Sequence, residues 1–253
     1  MKVLIGCTVF IIISATLLKA QPQLSPPVLS VSRAFINSEA ILSMDFRMKG
    51  TKIHYTTDGS KPNTSSLLYK TPLRIKDAVV INAKTFHKNF SPSESTTAQF
   101  YTIPKIILQI TGTLPDPNYP GDGFKTLTNH ILGDDNFRKN YLGYNTDEIT
   151  LDVTNTKNDT IQTLHLSYLV NQGAWIFSPS KIEILINNEV VTVYTSDNCL
   201  KPADLGYTVL KIPIVRNLMQ NFKVKIYPVK SLPEWHGGKG NKGWVFLDEV
   251  WVE

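Results

Sequence analysis

Apolar and polar positions alternate along this chain in short runs broken by turn residues. Ile53, Tyr55 and Thr57 interleave with His54 and Thr56, the period-two pattern of a half-buried strand. Asp58-Gly59 then supplies a tight turn, since Asp caps its own backbone and Gly tolerates positive φ. Pro62 bars the strand from continuing as a central ladder member. Similar runs predict strands at Val28–Ser32, Ala40–Phe46, Leu73–Ile75, Val79–His87 and Ala98–Thr102. No stretch between Val28 and Tyr101 keeps helical periodicity over three turns, so residues 21–103 read as a small immunoglobulin-like β-sandwich. Pro104 breaks the pattern. A second series follows at Glu148–Val153, Thr163–Leu169, Ser180–Ile186, Val190–Tyr194, Val209–Pro213, Phe222–Val229 and Gly243–Val252. Seven or more strands over residues 106–253 suggest a jelly-roll sandwich, so the predicted fold class is all-β.

The opening departs from this alternation. Lys2 precedes an almost wholly apolar run, Val3 to Leu18, and Ala20 offers a small residue for cleavage before Gln21. Residues 1–20 read as a secretory signal peptide, the run being too short and too early for a comfortable membrane span. Leu4-Ile5-Gly6-Cys7 imitates a lipoprotein box but leaves no hydrophobic core before the cut. Export implies a secreted, periplasmic or cell-surface protein. The chain carries 26 basic and 21 acidic side chains, and losing Lys2 and Lys19 leaves 24 against 21. That excess is too weak, and too scattered, to argue for nucleic acid. Cys199 remains as the one cysteine, which excludes an intramolecular disulfide and reads as a small buried or loop thiol.

The wording of the first domain resembles a known family. Tyr55-Thr56-Thr57-Asp58-Gly59-Ser60-Lys61-Pro62 is followed by Ser65, Tyr69, Pro72-Leu73, the strand Val80 to Phe86 and Ser91-Pro92-Ser93. This order is similar to the chitobiase/β-hexosaminidase C-terminal domain. The resemblance implies a structural spacer, so no binding site is placed there, and His54 and His87 read as surface or edge residues. In the second domain the order is Leu127-Thr128-Asn129-His130, Leu142-Gly143-Tyr144, Gly173 to Pro179, Trp235-His236-Gly237-Gly238 and Trp244 to Val250. It resembles the coagulation factor 5/8 type C, or discoidin, galactose-binding-like superfamily, as found behind bacterial family 20 β-N-acetylhexosaminidases.

Sugar recognition needs flat aromatic faces for the C–H patches of a ring and polar groups for its hydroxyls. Trp235-His236, between Pro233 and a Gly pair, is the foremost loop cluster of that chemistry. Arg138, Asn140 and Tyr141 form a second, and His130 could contribute. Trp175, Trp244 and Trp251 sit in apolar runs and read as core. The superfamily resemblance also implies a structural Ca²⁺ near these loops, with Asn129, Asp134 and Glu249 as its equivalents; oxygen ligands suit a hard cation. Asn129 stands where the family often has Asp, which removes a charge.

Catalysis finds little support. His-Glu-x-x-His, Gly-x-Ser-x-Gly and a phosphate-cradling loop are absent from the sequence. Asp248-Glu249 is adjacent on a predicted strand, where neighbouring side chains point to opposite faces and cannot converge on one glycosidic bond. The (β/α)₈ barrel of a family 20 hydrolase, about 250 residues, has no room beside two sandwiches. The chain therefore reads as an exported non-enzyme that binds a galactose- or N-acetylhexosamine-type glycan as an accessory to glycoside hydrolysis. The alternatives are an adhesion or protein-docking module, and a subunit of a separately encoded glycosidase.

Overall fold

A computed structural model describes residues 21–134, 136–157, 159–203, 205–218 and 221–253, without the side chains of 215–218. The predicted signal peptide and Cys7 lie outside the described residues. The regular structure is nearly all strand. In chain order the strands are β1 (Val28–Val31), β2 (Phe35–Ile36), β3 (Ala40–Asp45), β4 (Lys52–Thr56), β5 (Leu67–Leu68), β6 (Leu73–Ile75), β7 (Val79–Phe86), β8 (Thr96–Thr102) and β9 (Leu108–Gly112). They continue with β10 (Gly121–Phe124), β11 (Leu142–Tyr144), β12 (Ile149–Asn155), β13 (Ile161–Val170), β14 (Lys181–Ile186), β15 (Glu189–Thr195), β16 (Gly206–Leu218), β17 (Asn221–Tyr227) and β18 (Val245–Val252).

Two compact units divide the described chain: 21–30, 43–72 and 80–98 form one, while 31–42, 73–79 and 99–253 form the other. In the first unit β4 pairs antiparallel with β5 and β7. The predicted turn closes β4 as its residues require. Asp58 Oδ1 accepts from the Ser60 amide at 3.0 Å and the Ser60 hydroxyl at 2.6 Å, and Gly59 takes φ +78°. Asn82 of β7 donates to the carbonyls of Gly59 and Ser60, tying the turn to the sheet. His54 is buried rather than exposed, its Nδ1 2.9 Å from the Ser66 carbonyl and its ring edge-on to Phe86.

The second unit is built on a sandwich. One sheet has the order β15-β14-β17-β12-β9 and the other β11-β18-β13-β16. Alternation supplies the core between them. Ile149, Leu151 and Val153 of β12, Ile182 and Ile184 of β14, and Val224 and Ile226 of β17 point inward. They meet Leu164, Leu166 and Tyr168 of β13 and Val245, Leu247, Val250 and Val252 of β18. Each such side chain contributes about 1.5–3 kcal/mol by leaving water.

Two strands differ from the pattern read along the sequence. β16 runs through Pro213 instead of ending there, with Pro213 opposite Thr163. It is an edge strand, so the missing proline N–H costs no ladder bond. β18 carries a bulge: Leu247 opposes Tyr168 and Glu249 opposes Ser167, leaving Asp248 as the extra residue.

Candidate functional site

The antiparallel registers gather three loops of the second unit at one end of the sandwich. Leu169 near the end of β13 opposes Tyr207 of β16 and Phe246 of β18. Lys181 at the start of β14 opposes Thr195 of β15 and Tyr227 of β17. The segments 171–180, 196–203 and 228–244 therefore emerge together.

Backbone and side-chain bonds lock these loops to one another. Asn171 Oδ1 accepts from the Ala174 amide, and the chain turns through Trp175 at φ +66°. Trp175 and Phe177 then zip onto Trp244, with Trp244 N–H donating to the Trp175 carbonyl at 2.9 Å and Phe177 N–H to the Trp244 carbonyl at 3.0 Å. Gln172 reaches into the second loop, donating to the Lys201 carbonyl and accepting from the Ala203 amide. The Trp235 indole N–H donates to the Leu200 carbonyl at 2.9 Å. His236 is buried at the centre. Its Nδ1 accepts from the Gly238 amide at 3.0 Å, which leaves Nε2–H to donate to the Gln172 carbonyl at 2.7 Å.

Around His236 stand two tryptophans that remain open to solvent. Trp235 is 48 % exposed and Trp175 38 % exposed. Trp175 thus departs from its expected place in the core. The left-handed turn lifts its ring out of the strand line, and the ring lies against Gly238, where a side chain would leave no room. Beneath the pair, Phe177 is fully buried with Val229 and Leu232, and Cys199 packs on this cluster with its thiol pKa raised by burial. Among the other two tryptophans, Trp251 is buried and Trp244 partly so.

The remaining sugar candidates do not join this group. Arg138 is exposed and rides over the Phe137 ring, 5.5 Å from its centroid. Asn140 is exposed at φ +56°. Tyr141 is buried against Phe246, its hydroxyl donating to the Asp134 carbonyl at 2.9 Å, so its ring offers no face to a ligand. His130 is half-buried beside Phe35, which packs on Trp251 towards the far end of β18; burial lowers its pKa. Sequence reasoning missed Trp175. Its signal was the Asn171 to Ala174 stretch before it, Asn-Gln-Gly-Ala, which reads as a turn.

The implied calcium ligands separate in the same way. Asn129 is exposed and spends its Oδ1 on the Ile131 amide, and Asp134, also exposed, spends its Oδ1 on the Asn136 amide. Glu249 is fully buried, and neither carboxyl oxygen accepts a well-formed hydrogen bond. Burial, and then Asp248 beside it, push its pKa up to about 9, although the nearby amides of His130, Ile131 and Asn129 pull the other way. The groups facing Glu249 from that loop are thus N–H donors. Its free oxygens suit a cation, but the three residues do not form an oxygen cage as they stand. Among the described residues no group of three or more His, Cys, Asp or Glu could hold a metal.

The bulge at Asp248 corrects the expected opposition of Asp248 and Glu249. With one extra residue in the strand both carboxyls lie on the outer side of β18, away from Leu247 and Val250 in the core. Both are fully buried, Asp248 accepting from the Gly133 amide.

Residues 33–98 match the family model of the chitobiase/beta-hexosaminidase C-terminal domain. No curated protein matches the chain. Among solved structures, a SusE-like protein is 10 % identical, with 88 % of this chain and 95 % of that one covered and a TM-score of 0.35. An F-lectin (fucolectin) from striped bass (Morone saxatilis) serum is 11 % identical over 86 % of this chain and 83 % of that one, TM-score 0.33. A two-domain protein of unknown function from Bacteroides fragilis is 9 % identical over 91 % and 90 %, TM-score 0.29. Likeness at this level carries nothing about a ligand, so the site rests on its own residues. No described helix is long and apolar enough to cross a membrane.

Proposed function

We propose that this protein is an exported, non-catalytic carbohydrate-binding protein whose ligand lies on the loop end formed by Trp175, Trp235 and His236. The observation that carries the reading is the pair of half-exposed tryptophans, each from a different loop and each fixed by backbone contacts around one buried histidine. Rings held in place lose little entropy on binding, and their faces suit the C–H patches of a sugar. Lys239 and Glu234, paired at 3.2 Å on the same loop, supply polar groups at its rim. The match of residues 33–98 supports a role beside glycoside hydrolysis, since that domain is named from chitobiases and β-hexosaminidases. The apolar opening of the chain supports export. Asp248 and Glu249 are sealed from solvent and offer no acid–base pair to a substrate.

A glycan array probed with the purified protein tests the reading, with Trp235→Ala beside it and chelator in a parallel set. Binding to galactose- or N-acetylhexosamine-bearing glycans that the substitution abolishes supports it. No glycan binding by folded protein overturns it in favour of protein docking, for which exposed tryptophans also serve.

A further inference from the structure

The arrangement of Trp175, His236 and Trp235 restricts what kind of glycan can use both tryptophans. The His236 ring centroid lies 6.2 Å from that of Trp175 and 5.6 Å from that of Trp235. Both indoles stand nearly perpendicular to the imidazole, at 81° and 78°. The two indoles make no ring contact with each other, so they are separated by more than the ~7 Å of a direct aromatic pair. Each packs on the same small imidazole, so their separation cannot exceed about 12 Å. His236 packs against both indoles, and it cannot swing out. Its ring is held from both sides, by Gly238 N–H at Nδ1 and the Gln172 carbonyl at Nε2. A pyranose chain can lay one unit on each indole across this span.

We propose that the site binds a pyranose oligosaccharide along its length, one sugar on Trp175 and another on Trp235. This rests on the carbohydrate reading above and narrows it from a terminal sugar to a chain of two or more units. The platform is prebuilt for such a ligand. Gly238 fixes Trp175 from below, because a Cβ there would come within 2.6 Å of its Cζ2. The Leu200 carbonyl fixes Trp235 through its indole N–H. The loops that carry the two rings are joined through Gln172, so the spacing between the rings is set before the ligand arrives. A repeating chain presents a fresh C–H face at each unit, which a single terminal sugar cannot do.

Calorimetry with three ladders tests this: β-linked oligomers of N-acetylglucosamine, of galactose and of glucose, each from one to six units. Affinity in at least one ladder should rise about three- to tenfold between the monosaccharide and the tri- or tetrasaccharide, then level off. Trp175→Ala and Trp235→Ala, checked for folding by circular dichroism, should each flatten that rise. A monosaccharide bound as tightly as its tetramer overturns the chain proposal and leaves carbohydrate binding standing. A rise with length that survives both substitutions likewise overturns it, placing the chain elsewhere on the protein. Absence of binding in all three ladders and on the array overturns both readings together.

Discussion

Gly133 and Asp248 are 115 residues apart, yet the Gly133 amide donates to Asp248 Oδ2 at 2.7 Å in a fully buried bond. The bond pins the loop that follows Asn129 onto the bulge of β18, where Asp248 and Glu249 stand side by side. Gly133 has no freedom to be anything larger, because a Cβ would enter the ring of Tyr141. The loop, the bulge and two buried carboxyls form one element.

That element makes stability fall as pH rises. Glu249 titrates near 4.5 when unfolded and is pushed up to about 9 in the fold, chiefly by burial. A raised carboxyl pKa means that the folded state holds a proton the unfolded state has released, so stability is complete below 4.5 and drains away towards 9. Asp248, raised to about 6 by burial, adds the same sign at lower pH. His130 and His165, lowered by burial, act in the opposite sense, but only below about 6.5. Glu249 therefore dominates between pH 7 and 9. Melting followed by circular dichroism should show Tm falling by roughly 5 °C across that window, from up to about 3 kcal/mol of linked protonation. Glu249→Gln should level the curve. A slope unchanged in Glu249→Gln would mean that this carboxyl is ionised in the fold at neutral pH.

Gln172 offers a way to separate binding from folding. Its amide donates to the Lys201 carbonyl and accepts from the Ala203 amide, and both bonds lie near the surface. Gln172→Ala should cost only about 1 kcal/mol of stability, since exposed partners can turn to water. It should nevertheless loosen the 196–203 segment on which Trp235 hangs through Leu200. The expected outcome is an unchanged Tm within about 3 °C together with weaker glycan binding. Equal affinity for wild type and variant would show that Trp235 does not need that tether.

Gly112 closes β9 at φ +140°, and a Cβ there would run into the Thr150 carbonyl oxygen of β12. The carbonyl is a fixed part of the ladder, accepting from the Thr113 amide at 2.8 Å. Gly112→Ala should thus destabilise by about 2–4 kcal/mol through combined strain and overlap. Urea unfolding would show it as a lower midpoint at constant slope; an unmoved midpoint would mean that β9 can detach without loss.

Much of this architecture was legible residue by residue. The Asp58-Gly59 turn forms because both residues favour it locally, whatever surrounds them. The inward positions of β12, β14 and β17 follow from alternation. What was not legible depends on context. Pro213 continues a strand because β16 lies at an edge, and edge position is not written in the local sequence. Leu108 and Ile110 alternate with polar neighbours but make a strand of only five residues, which the breaker at Pro104 obscured. The bulge at Asp248 puts adjacent carboxyls on one face against the rule of alternation. At the site, Trp235 and His236 were visible as a loop pair flanked by Pro and Gly. Trp175 was hidden in an apolar run, because its exposure comes from one left-handed residue and from a glycine 63 positions away.

That glycine gives a sharp test of the site. Gly238 lies under Trp175, with ideal Cβ distances of 2.6 Å to Cζ2 and 2.7 Å to Cε2. The indole is a flat, stiff group whose backbone is zipped to Trp244, so it cannot retreat by a small torsion. In Gly238→Ala either the indole swings outward or the 236–241 turn opens and breaks the Gly238 N–H bond to His236. The expected cost is about 1–3 kcal/mol, modest because the position lies at a loop and not in the sandwich core. Binding should fall further than stability does, since the aromatic spacing changes at once. Gly237→Ala is the matched control: a Cβ there meets nothing within 4 Å. It should keep both the tryptophan fluorescence maximum and the glycan affinity, whereas Gly238→Ala shifts the first and loses about tenfold in the second. If the two variants behave alike, Trp175 is not part of the binding surface.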